Sequence, residues 1–235
     1  MSDDAKNALL VDVGGVLLLL NSEALAPVIA KHGGVTSAED FYRAHCAAHN
    51  AAHPTRGERL GDYYEILPRF AGVPESRRAA CAEEYLAASR VKNMWHYPDQ
   101  QSKAALAEFV EAGITVAIVS QADGRIAEML LEAKMCQEGE GQGVSVDRIF
   151  DSSVVGLSKP DPRFFLHAAR EIGADADHAV HVGDTVPADV VGARAAGILA
   201  VHYDPYGDCD APDDHEHVRV LSEMSRYLSA PVVMS

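Results

Sequence analysis

Short apolar runs recur along the chain, and segments with a helical spacing of apolar residues separate most of them. The runs predict strands at residues 8–11, 114–120, 147–153, 179–182 and 199–203. Helices are predicted between them, at residues 101–112, 124–134, 161–172 and 188–196. Because strands that alternate with helices pair in parallel, the pattern predicts an α/β fold with a doubly wound parallel sheet.

The pattern changes between the first two of these strands. From Ser22 to about Trp95 the apolar positions have helical periods, with Gly and Pro between the segments, and no part is convincing as a strand. We predict a core domain of residues 1–20 and 97–235 and an inserted α-helical domain of residues 21–96. An insertion at this point can act as a cap that covers the strand ends and excludes water.

Two other segments do not fit the alternation. Residues 136–147, CQEGEGQGVSVD, are rich in glycine and acidic residues and predict a surface loop. Residues 204–217, with the preceding His202, place His202, His215 and His217 among carboxylates, which raises a second metal site as an alternative. Their spacing matches no metal-binding template, so the role of this segment stays open.

Composition narrows the class of protein. A chain of 235 residues that is 48% hydrophobic can bury a large core, with one domain and a sizeable insertion. The formal net charge of −15 argues against a nucleic-acid partner, since Lys and Arg carry such binding. The four cysteines form no CxxC pair, no signal segment is visible, and no apolar run near the start approaches the roughly 20 residues of a membrane span. We expect a cytoplasmic protein, monomer or homodimer, with no membrane partner.

Residues with reactive or metal-binding side chains follow several of the predicted strands. The runs LLVDVGG, TVAIVS, VVGLSKPDP and AVHVGDTVPAD contain Asp12, Ser120, Lys159, Asp184 and Asp189. Ligands of open α/β sheets bind at the carboxyl ends of the strands. The grouping of carboxylates, a hydroxyl and an ammonium suits magnesium and a phosphate.

Asp12 has the position of a nucleophile. Gly14 and Gly15 follow it, so that its carboxylate would project from the strand end while the backbone beyond stays open to a ligand. A carboxylate can attack phosphorus and form an aspartyl phosphate, which divides one difficult displacement into two easier ones. Ser120, at the predicted start of a helix with Gln121 next to it, could hold a phosphate oxygen through its hydroxyl and nearby amides.

Lys159 and the last two aspartates complete this chemistry. Lys159 precedes Pro160, which stiffens the backbone that presents the ammonium. A fixed cation beside a carboxylate nucleophile offsets its repulsion of an anionic phosphate. Asp184 ends one strand and Asp189 lies five residues further on, and hard carboxylate oxygens near a phosphate are what Mg²⁺ requires.

The residues in these blocks and the order of the blocks resemble motifs one to four of the haloacid dehalogenase-like (HAD) hydrolase superfamily. The inserted helices are similar to its first cap subclass, and the resemblance covers nearly the whole chain. It implies a Rossmann-like core with Asp12 as nucleophile. It implies Ser120 and Lys159 as phosphate-binding residues, with Gly15 and Gln121 beside the phosphate or substrate. Mg²⁺ would be held by Asp12, Asp184 and the carbonyl of Gly14, with Asp189 as a further ligand or as support for the ligands. The implied activity is hydrolysis of a small phosphorylated metabolite.

Gly14 departs from the phosphatase pattern of that family, in which an aspartate at this place protonates the leaving group. General acid–base help of this kind is worth roughly two to four orders of magnitude in rate. Three alternatives follow: a substrate whose leaving group needs little protonation, such as an anomeric sugar phosphate, an acyl phosphate or a diphosphate; an acid supplied by the cap; or a catalytically impaired protein that mainly binds. The cap candidates lie in HNAAHPTRGE and are His49, His53, Arg56 and Glu58.

Other activities on the same fold are weaker alternatives. Haloacid dehalogenases resemble this chain in fold and nucleophile, but they attack carbon without magnesium, carry an aromatic residue at the place of Gly14 and lack the GDxxxxD pattern. A phosphonatase or phosphomutase also stays open. The identity of the substrate cannot be predicted from the sequence, since specificity would come from the cap and from residues such as Gln121.

Overall fold

The computed structural model describes residues 6–52, 60–91, 94–209 and 214–229. The chain divides into two compact units. The first, here called the α/β unit, consists of Met1–Leu18 and Pro98–Ser235, and the second, the helical unit, is Leu19–Tyr97. The predicted domain boundaries were residues 20 and 97.

The strands and helices of the described residues alternate over most of the chain. The strands are β1 Ala8–Val11, β2 Leu18–Leu20, β3 Trp95–Pro98, β4 Thr115–Ser120, β5 Cys136–Glu138, β6 Val144–Val146, β7 Arg148–Asp151, β8 Ala179–Gly183, β9 Leu199–Tyr203 and β10 Glu216–Val218. The α-helices are α1 Ser22–Lys31, α2 Ala38–Ala52, α3 Tyr63–Phe70, α4 Glu75–Val91, α5 Gln100–Glu111, α6 Ile126–Glu132, α7 Ser152–Val155, α8 Pro162–Glu171 and α9 Val191–Ala195.

A parallel sheet of six strands forms the centre of the α/β unit, in the order β10-β9-β8-β1-β4-β7. The predicted α/β fold with a parallel sheet is confirmed. The strands on one side of β1 come earlier in the chain than those on the other side, so the order reverses between β1 and β8. In open α/β sheets this reversal creates a crevice at the carboxyl ends of the strands.

The apolar runs form the core of this sheet. β1 and β8 are buried along their whole length, as expected for parallel strands covered on both faces. Phe164 and Phe165 of α8 are fully buried in the same cluster as Leu10 and Val119. The ring of Phe165 packs edge-on against His181 of β8, with centroids 4.9 Å apart. Helix α8 is thereby fixed against the strand that leads to Asp184.

The helical unit contains α1 to α4, as its periodicity predicts, and has its own buried residues, among them Phe41, Leu67 and Tyr85. His45 of α2 is buried and hydrogen-bonded through Nδ1 to the hydroxyl of Tyr63, 2.8 Å away. Its ring also packs edge-on against Trp95, with centroids 5.4 Å apart.

The prediction of no strand between Ser22 and Trp95 is wrong at its end. Trp95 begins β3, which pairs with β2 in a two-stranded sheet, and neither strand was predicted. The amide of Asn21 donates to the carbonyl of Met94 beside this pair, 2.8 Å away. Such a pairing joins segments far apart in sequence, so a local pattern of apolar residues does not reveal it.

The prediction of a surface loop over residues 136–147 is also wrong. The segment forms β5 and β6, which pair with each other. The side chain of Gln137 is buried, donates to the carbonyls of Gly139 and Gly143, and accepts from the amide of Gly143. A Cβ atom on Gly141 or Gly143 would approach this side chain within 3.0 Å, so these glycines make room for it.

Several element ends differ from the predictions. The strand predicted to reach Ser153 ends at Asp151, whose carboxylate accepts the amide of Ser153 and so begins α7. The helix predicted over residues 188–196 consists of a π-helical turn, Val186–Val190, followed by α9. Strand β10 was not predicted, because its only buried residue is Val218.

Two findings bear on the environment of the protein. No helix within the described residues is long and apolar enough to cross a membrane. All four cysteines lie in the described part of the chain, and none of them forms a disulfide.

Candidate active site

Three carboxylates meet at the carboxyl ends of β1 and β8, where the strand order reverses. Asp12 directly follows β1, and its amide donates to the carbonyl of Val182 in β8, 3.0 Å away. Asp184 directly follows β8, and Asp189 lies in the π-helical turn after it. One carboxylate oxygen from each lies within 4.8 Å of the others, and all three residues are buried.

Lys159 joins two of these carboxylates. Its Nζ lies 2.6 Å from Oδ1 of Asp12 and 2.6 Å from Oδ1 of Asp189, and the residue is only 6% exposed. The ammonium approaches from the segment before α8, and the Lys159–Pro160 peptide bond is cis. The fold brings Lys159 next to both aspartates although the three residues are far apart in sequence, as the order of the four motifs predicts.

The side chain of Asp189 is surrounded by donors. Its Oδ1 accepts from Lys159 and from Nε2 of His181, which is 2.8 Å away. Its Oδ2 accepts from the amide and the hydroxyl of Thr185, at 3.1 and 2.6 Å. A carboxylate has about four lone-pair sites. These four hydrogen bonds use them, so Asp189 is held in place by its neighbours.

Gly183 explains how Asp189 fits so close to β8. A Cβ atom at this position would overlap the carboxyl group of Asp189. Only glycine therefore allows the carboxylate to lie against the strand end and reach Lys159. This contact gives a physical reason for the glycine that precedes Asp184 in the sequence.

Burial and charge shift the pKa values of this cluster in opposite directions. Burial raises the pKa of Asp12 to about 6, although the nearby Lys159 ammonium opposes the shift. Burial also acts to raise the pKa of Asp189, but Lys159 and the hydrogen bond from His181 outweigh it and lower that pKa well below its usual range. For Lys159, burial acts to lower the pKa, and the carboxylates of Asp12 and Asp189 outweigh it and raise it.

His181 stays neutral within this cluster. Burial lowers the pKa of its imidazole, against the hydrogen bond to Asp189. Since the carboxylate of Asp189 accepts, Nε2 carries the proton of the neutral ring. His181 therefore adds a hydrogen-bond donor to the cluster and no positive charge.

This cluster suits a divalent cation. Three acidic side chains converge in a buried site, and a cation held by their oxygens would offset the cost of burying their charge. Hard oxygen donors are the ligands that Mg²⁺ takes. Because the oxygens of Asp189 already accept four hydrogen bonds, the carboxylates of Asp12 and Asp184 are better placed to hold the ion.

The other predicted site residues lie at the same edge of the sheet. Ser120 is buried at the end of β4, the strand that pairs with β1, and Gln121 is exposed directly after it. Gly14 and Gly15 form the turn after Asp12. Gly15 has a φ of +74°, a backbone conformation that favours glycine, and its amide donates to the carbonyl of Leu18.

Ser120 does not stand at the start of a helix, contrary to the prediction. The next helix, α6, begins only at Ile126. The amides of Gly124 and Ile126 donate to Oδ2 of Asp151, which therefore takes the place that a phosphate oxygen would have at that helix start. Phosphate binding by Ser120 would rest on its hydroxyl and on the backbone near Gln121.

Of the cap residues predicted as replacement acids, only His49 lies within the described residues. It is in α2, where its ring lies 6.1 Å from that of His45 and 6.3 Å from that of Tyr63. His53, Arg56 and Glu58 lie outside the described residues.

Sequence reasoning missed two residues of the cluster, His181 and Thr185. His181 is the one polar side chain in the strand AVHVG, and a polar group in a buried strand requires a hydrogen-bond partner. That signal was available in the sequence. Thr185 lies in the GDTVPAD block, but its contact with Asp189 depends on the π-helical turn, which the apolar pattern does not predict.

Comparisons with known proteins agree with this geometry. The family model of haloacid dehalogenase-like hydrolases matches residues 6–197, and the chain belongs to this family of hydrolases. A glyceraldehyde 3-phosphate phosphatase of Methanopyrus kandleri is 34% identical over 87 residues, 33% of this chain and 37% of the relative. A phosphoserine phosphatase of Thermus thermophilus is 32% identical over 142 residues, 60% of this chain and 53% of the relative.

The chain thus spans 37% and 53% of the length of these two relatives. Among solved structures, a dehalogenase with an intermediate complex has a TM-score of 0.62 at 20% identity, over 98% of this chain and 100% of that one. At this identity the likeness concerns the fold. The match of the family model confirms the resemblance to the HAD superfamily.

Proposed function

We propose that this protein is a magnesium-dependent phosphohydrolase that acts on a small phosphorylated metabolite. The observation that carries the proposal is the buried cluster of Asp12, Asp184 and Asp189 around the ammonium of Lys159. Two relatives named as phosphatases support the reaction type, and the names of both refer to small phosphate monoesters. A halide displacement at carbon needs no metal ion and would give no reason for Asp184 and Asp189 to lie beside Asp12.

In this proposal Asp12 is the nucleophile. With a pKa of about 6 its carboxylate is ionised at neutral pH. An oxygen of Asp12 bonds to phosphorus as the bond from phosphorus to the leaving oxygen breaks, which yields an aspartyl phosphate. A water molecule then attacks phosphorus, inorganic phosphate leaves, and the carboxylate is restored. Bound Mg²⁺ would supply charge neutralisation to the phosphoryl oxygens.

The other residues position Asp12 and the phosphate. Lys159 lowers the repulsion between the carboxylate and the anionic substrate, and it can stabilise charge on the transferring group. Asp189 accepts a hydrogen bond from the ammonium of Lys159 and so fixes its position. His181 and Thr185 in turn hold the carboxylate of Asp189. Asp12 and Asp184 would hold the cation. Ser120 would contribute its hydroxyl to a phosphate oxygen.

A test of this proposal is phosphate release from a panel of phosphorylated metabolites, with and without Mg²⁺. We expect release that requires Mg²⁺ and falls by at least about 10³-fold in Asp12→Asn, because the nucleophile is lost. Asp177→Asn is a matched control, since Asp177 is exposed in the turn before β8, and it should retain activity. Release that is unchanged in Asp12→Asn would refute the role of Asp12.

A second candidate function rests on Gly14, which leaves the chain without an acid two residues after Asp12. A protein that lacks this acid would bind the phosphorylated substrate and hydrolyse it slowly. The backbone at Gly14 does not have a positive φ, unlike that at Gly15, so its conformation is one that other residues also adopt. The leaving group of the best substrate would show whether protonation is needed.

We therefore predict that Gly14→Asp raises turnover of alkyl phosphates by about 10²- to 10⁴-fold, the usual worth of general acid–base catalysis. Gly14→Asn is the control, since it has the same size and no acid. Faster turnover in Gly14→Asp, but not in Gly14→Asn, would show that the missing acid limits the rate. Equal rates in all three proteins would mean that another group protonates the leaving oxygen, or that none is needed.

A further inference from the structure

A second group of metal-ligating side chains lies at the other side of β8. It consists of His202, Cys209, His215 and His217, here called the histidine–cysteine cluster. His202 belongs to β9 and His217 to β10, and the two are direct partners in the register of these parallel strands. His215 lies two residues before His217, so the period of a strand places both on the same face.

The distances within this cluster are those of converging ligands. Nδ1 of His202 lies 3.3 Å from Nε2 of His215, which lies 3.6 Å from Sγ of Cys209. The rings of His215 and His217 have centroids 4.3 Å apart. One ligand atom from each of the four residues lies within 4.8 Å of the other three. His202 and His215 are buried, whereas His217 is exposed, so an ion could enter from solvent.

The backbone holds two of these side chains in position. Nε2 of His202 donates to the carbonyl of Asp184, 3.1 Å away, and since a carbonyl only accepts, the Nδ1 that faces the cluster is the basic nitrogen of the neutral ring. Metal-bound histidines commonly donate their second nitrogen in this way. The carboxylate of Asp204 accepts the amides of Gly207, Asp208 and Cys209, which folds the turn that carries the thiol.

We propose that the histidine–cysteine cluster is a second metal site that takes Zn²⁺ or a chemically similar transition-metal ion. Three imidazoles and one thiolate are a four-ligand set of the kind that zinc accepts in tetrahedral sites. Such nitrogen and sulfur donors do not suit Mg²⁺, which prefers oxygen. The two metal sites thus differ in chemistry, and this proposal does not depend on the proposed hydrolase activity.

Binding at this site has a defined proton balance. The ion would bond to Nδ1 of His202, which keeps its proton on Nε2. His215 would move its proton from Nε2 to Nδ1, and the thiol of Cys209 would release its proton to solvent. The ion would join β9, the turn at Asp204 and β10, and we expect it to raise the temperature at which the protein unfolds.

The sequence suggested a metal site here, but the spacing of its ligands matches no known metal-binding template. The ligands have the order His, Cys, His, His with spacings unlike those of zinc fingers. The register of β9 and β10 brings His202 beside His217, and the turn at Asp204 returns Cys209 to them. The thiol replaces the carboxylates that the sequence pattern suggested as companions of the histidines.

The test is a titration of the full chain with Zn²⁺ in excess Mg²⁺, after removal of metal by a chelator. We expect about one Zn²⁺ per chain, and at least about a tenfold weaker affinity in Cys209→Ser and in His217→Ala, an exposed position that keeps the fold intact. Cys46→Ser and His96→Ala, both in the helical unit, are the matched controls. Co²⁺ should give a thiolate-to-metal charge-transfer band that Cys209→Ser lacks.

Binding should also persist in Asp184→Asn, which alters the carboxylate cluster alone. Zn²⁺ affinity that is equal in the wild-type protein, Cys209→Ser and His217→Ala would overturn the proposal. So would a Zn²⁺ stoichiometry that falls in Asp184→Asn and not in the cluster variants, because the ion would then occupy the carboxylate site. A titration with no Zn²⁺ bound would overturn it as well.

Discussion

At the scale of single residues, Asp184 and Asp189 carry the same functional group in different surroundings. Asp189 accepts four hydrogen bonds from Lys159, His181 and Thr185. Asp184 is linked through its backbone carbonyl to His202, and its carboxylate faces the two others. The two aspartates should therefore respond differently to the same substitution.

We predict that Asp189→Asn lowers the free energy of unfolding by about 2 to 4 kcal/mol. The buried Lys159 loses a charged partner, and an NH2 donor replaces one of two oxygens that both face donors. Asp184→Asn should have a smaller effect on stability and lower the Mg²⁺ affinity at least about tenfold. Urea denaturation and calorimetric Mg²⁺ titration measure the two quantities. An equal fall in Mg²⁺ affinity for both variants would contradict a supporting role for Asp189.

Much of this cluster could be predicted at the residue scale. Asp12, Asp184, Asp189 and Lys159 follow apolar runs in a recognisable order, and the structure brings all four together. His181 and Thr185 could not be assigned, because their roles depend on the distance between a strand and a π-helical turn. Their contacts are set by packing around Gly183, which a one-dimensional pattern does not contain.

At the scale of elements, the paired strands β5 and β6 show what holds a glycine-rich segment in order. Gln137 is buried and makes three hydrogen bonds to the backbone of Gly139 and Gly143. These hydrogen bonds hold the segment together where few apolar residues are present to form a core. The amide of Ile149 in β7 also donates to the carboxylate of Glu138 in β5, 2.8 Å away.

We predict that Gln137→Ala lowers the free energy of unfolding by about 2 to 3 kcal/mol, since three hydrogen bonds of a buried side chain are lost. Hydrogen exchange at the amide of Gly143 should become faster in the same variant. Gln101→Ala, at an exposed position on α5, is the matched control and should change neither quantity. Protection of Gly143 that survives the loss of Gln137 would refute this role.

Elements with a clear apolar pattern were predictable, and short strands that depend on pairing with another strand were not. The buried strands and long helices of the α/β unit follow from their apolar spacing, and they have nearly the predicted bounds. Strands β2, β3, β5, β6 and β10 are three or four residues long, which is too short for a periodic signal. Each forms because a partner strand supplies hydrogen bonds.

At the scale of the whole molecule, the two units contain different titratable cores. The α/β unit has the carboxylate cluster, while the helical unit has the buried His45 with Tyr63 and Tyr85. Burial, helped by His49, lowers the pKa of His45 to about 3. Trp95, the only tryptophan of the chain, packs edge-on against this histidine and so reports on the helical unit.

The helical unit should lose stability in acid. His45 is neutral in the folded protein down to a pH of about 3, whereas in the unfolded chain it takes a proton below about pH 6.5, its ordinary value. Its contribution is complete above pH 6.5 and falls as the pH decreases toward 3. We expect a loss of at least about 1.4 kcal/mol over this interval, the worth of one pKa unit.

Urea denaturation followed by Trp95 fluorescence from pH 7 to pH 4 measures this loss. His45→Phe should reduce the dependence on pH, because phenylalanine takes no proton. His96→Phe, a substitution at an exposed histidine next to Trp95, should keep the dependence of the wild-type protein. A slope that is the same in all three proteins would assign the effect to other groups.

The position of β1 in the sheet has a consequence for synthesis of the chain. This strand is made before the other strands of the sheet, and it lies in the centre of the sheet between β4 and β8, with Val11 beside Ile118 and Val182. Contacts between such distant segments form slowly. As the ribosome extends the chain, the apolar strand ALLV lacks its neighbour β4 until Ser120 has been made, and lacks β8 until Gly183 has been made. Asp12 thus reaches its lysine only late in folding, and a chain released before β8 would expose an unpaired hydrophobic edge and be prone to aggregate.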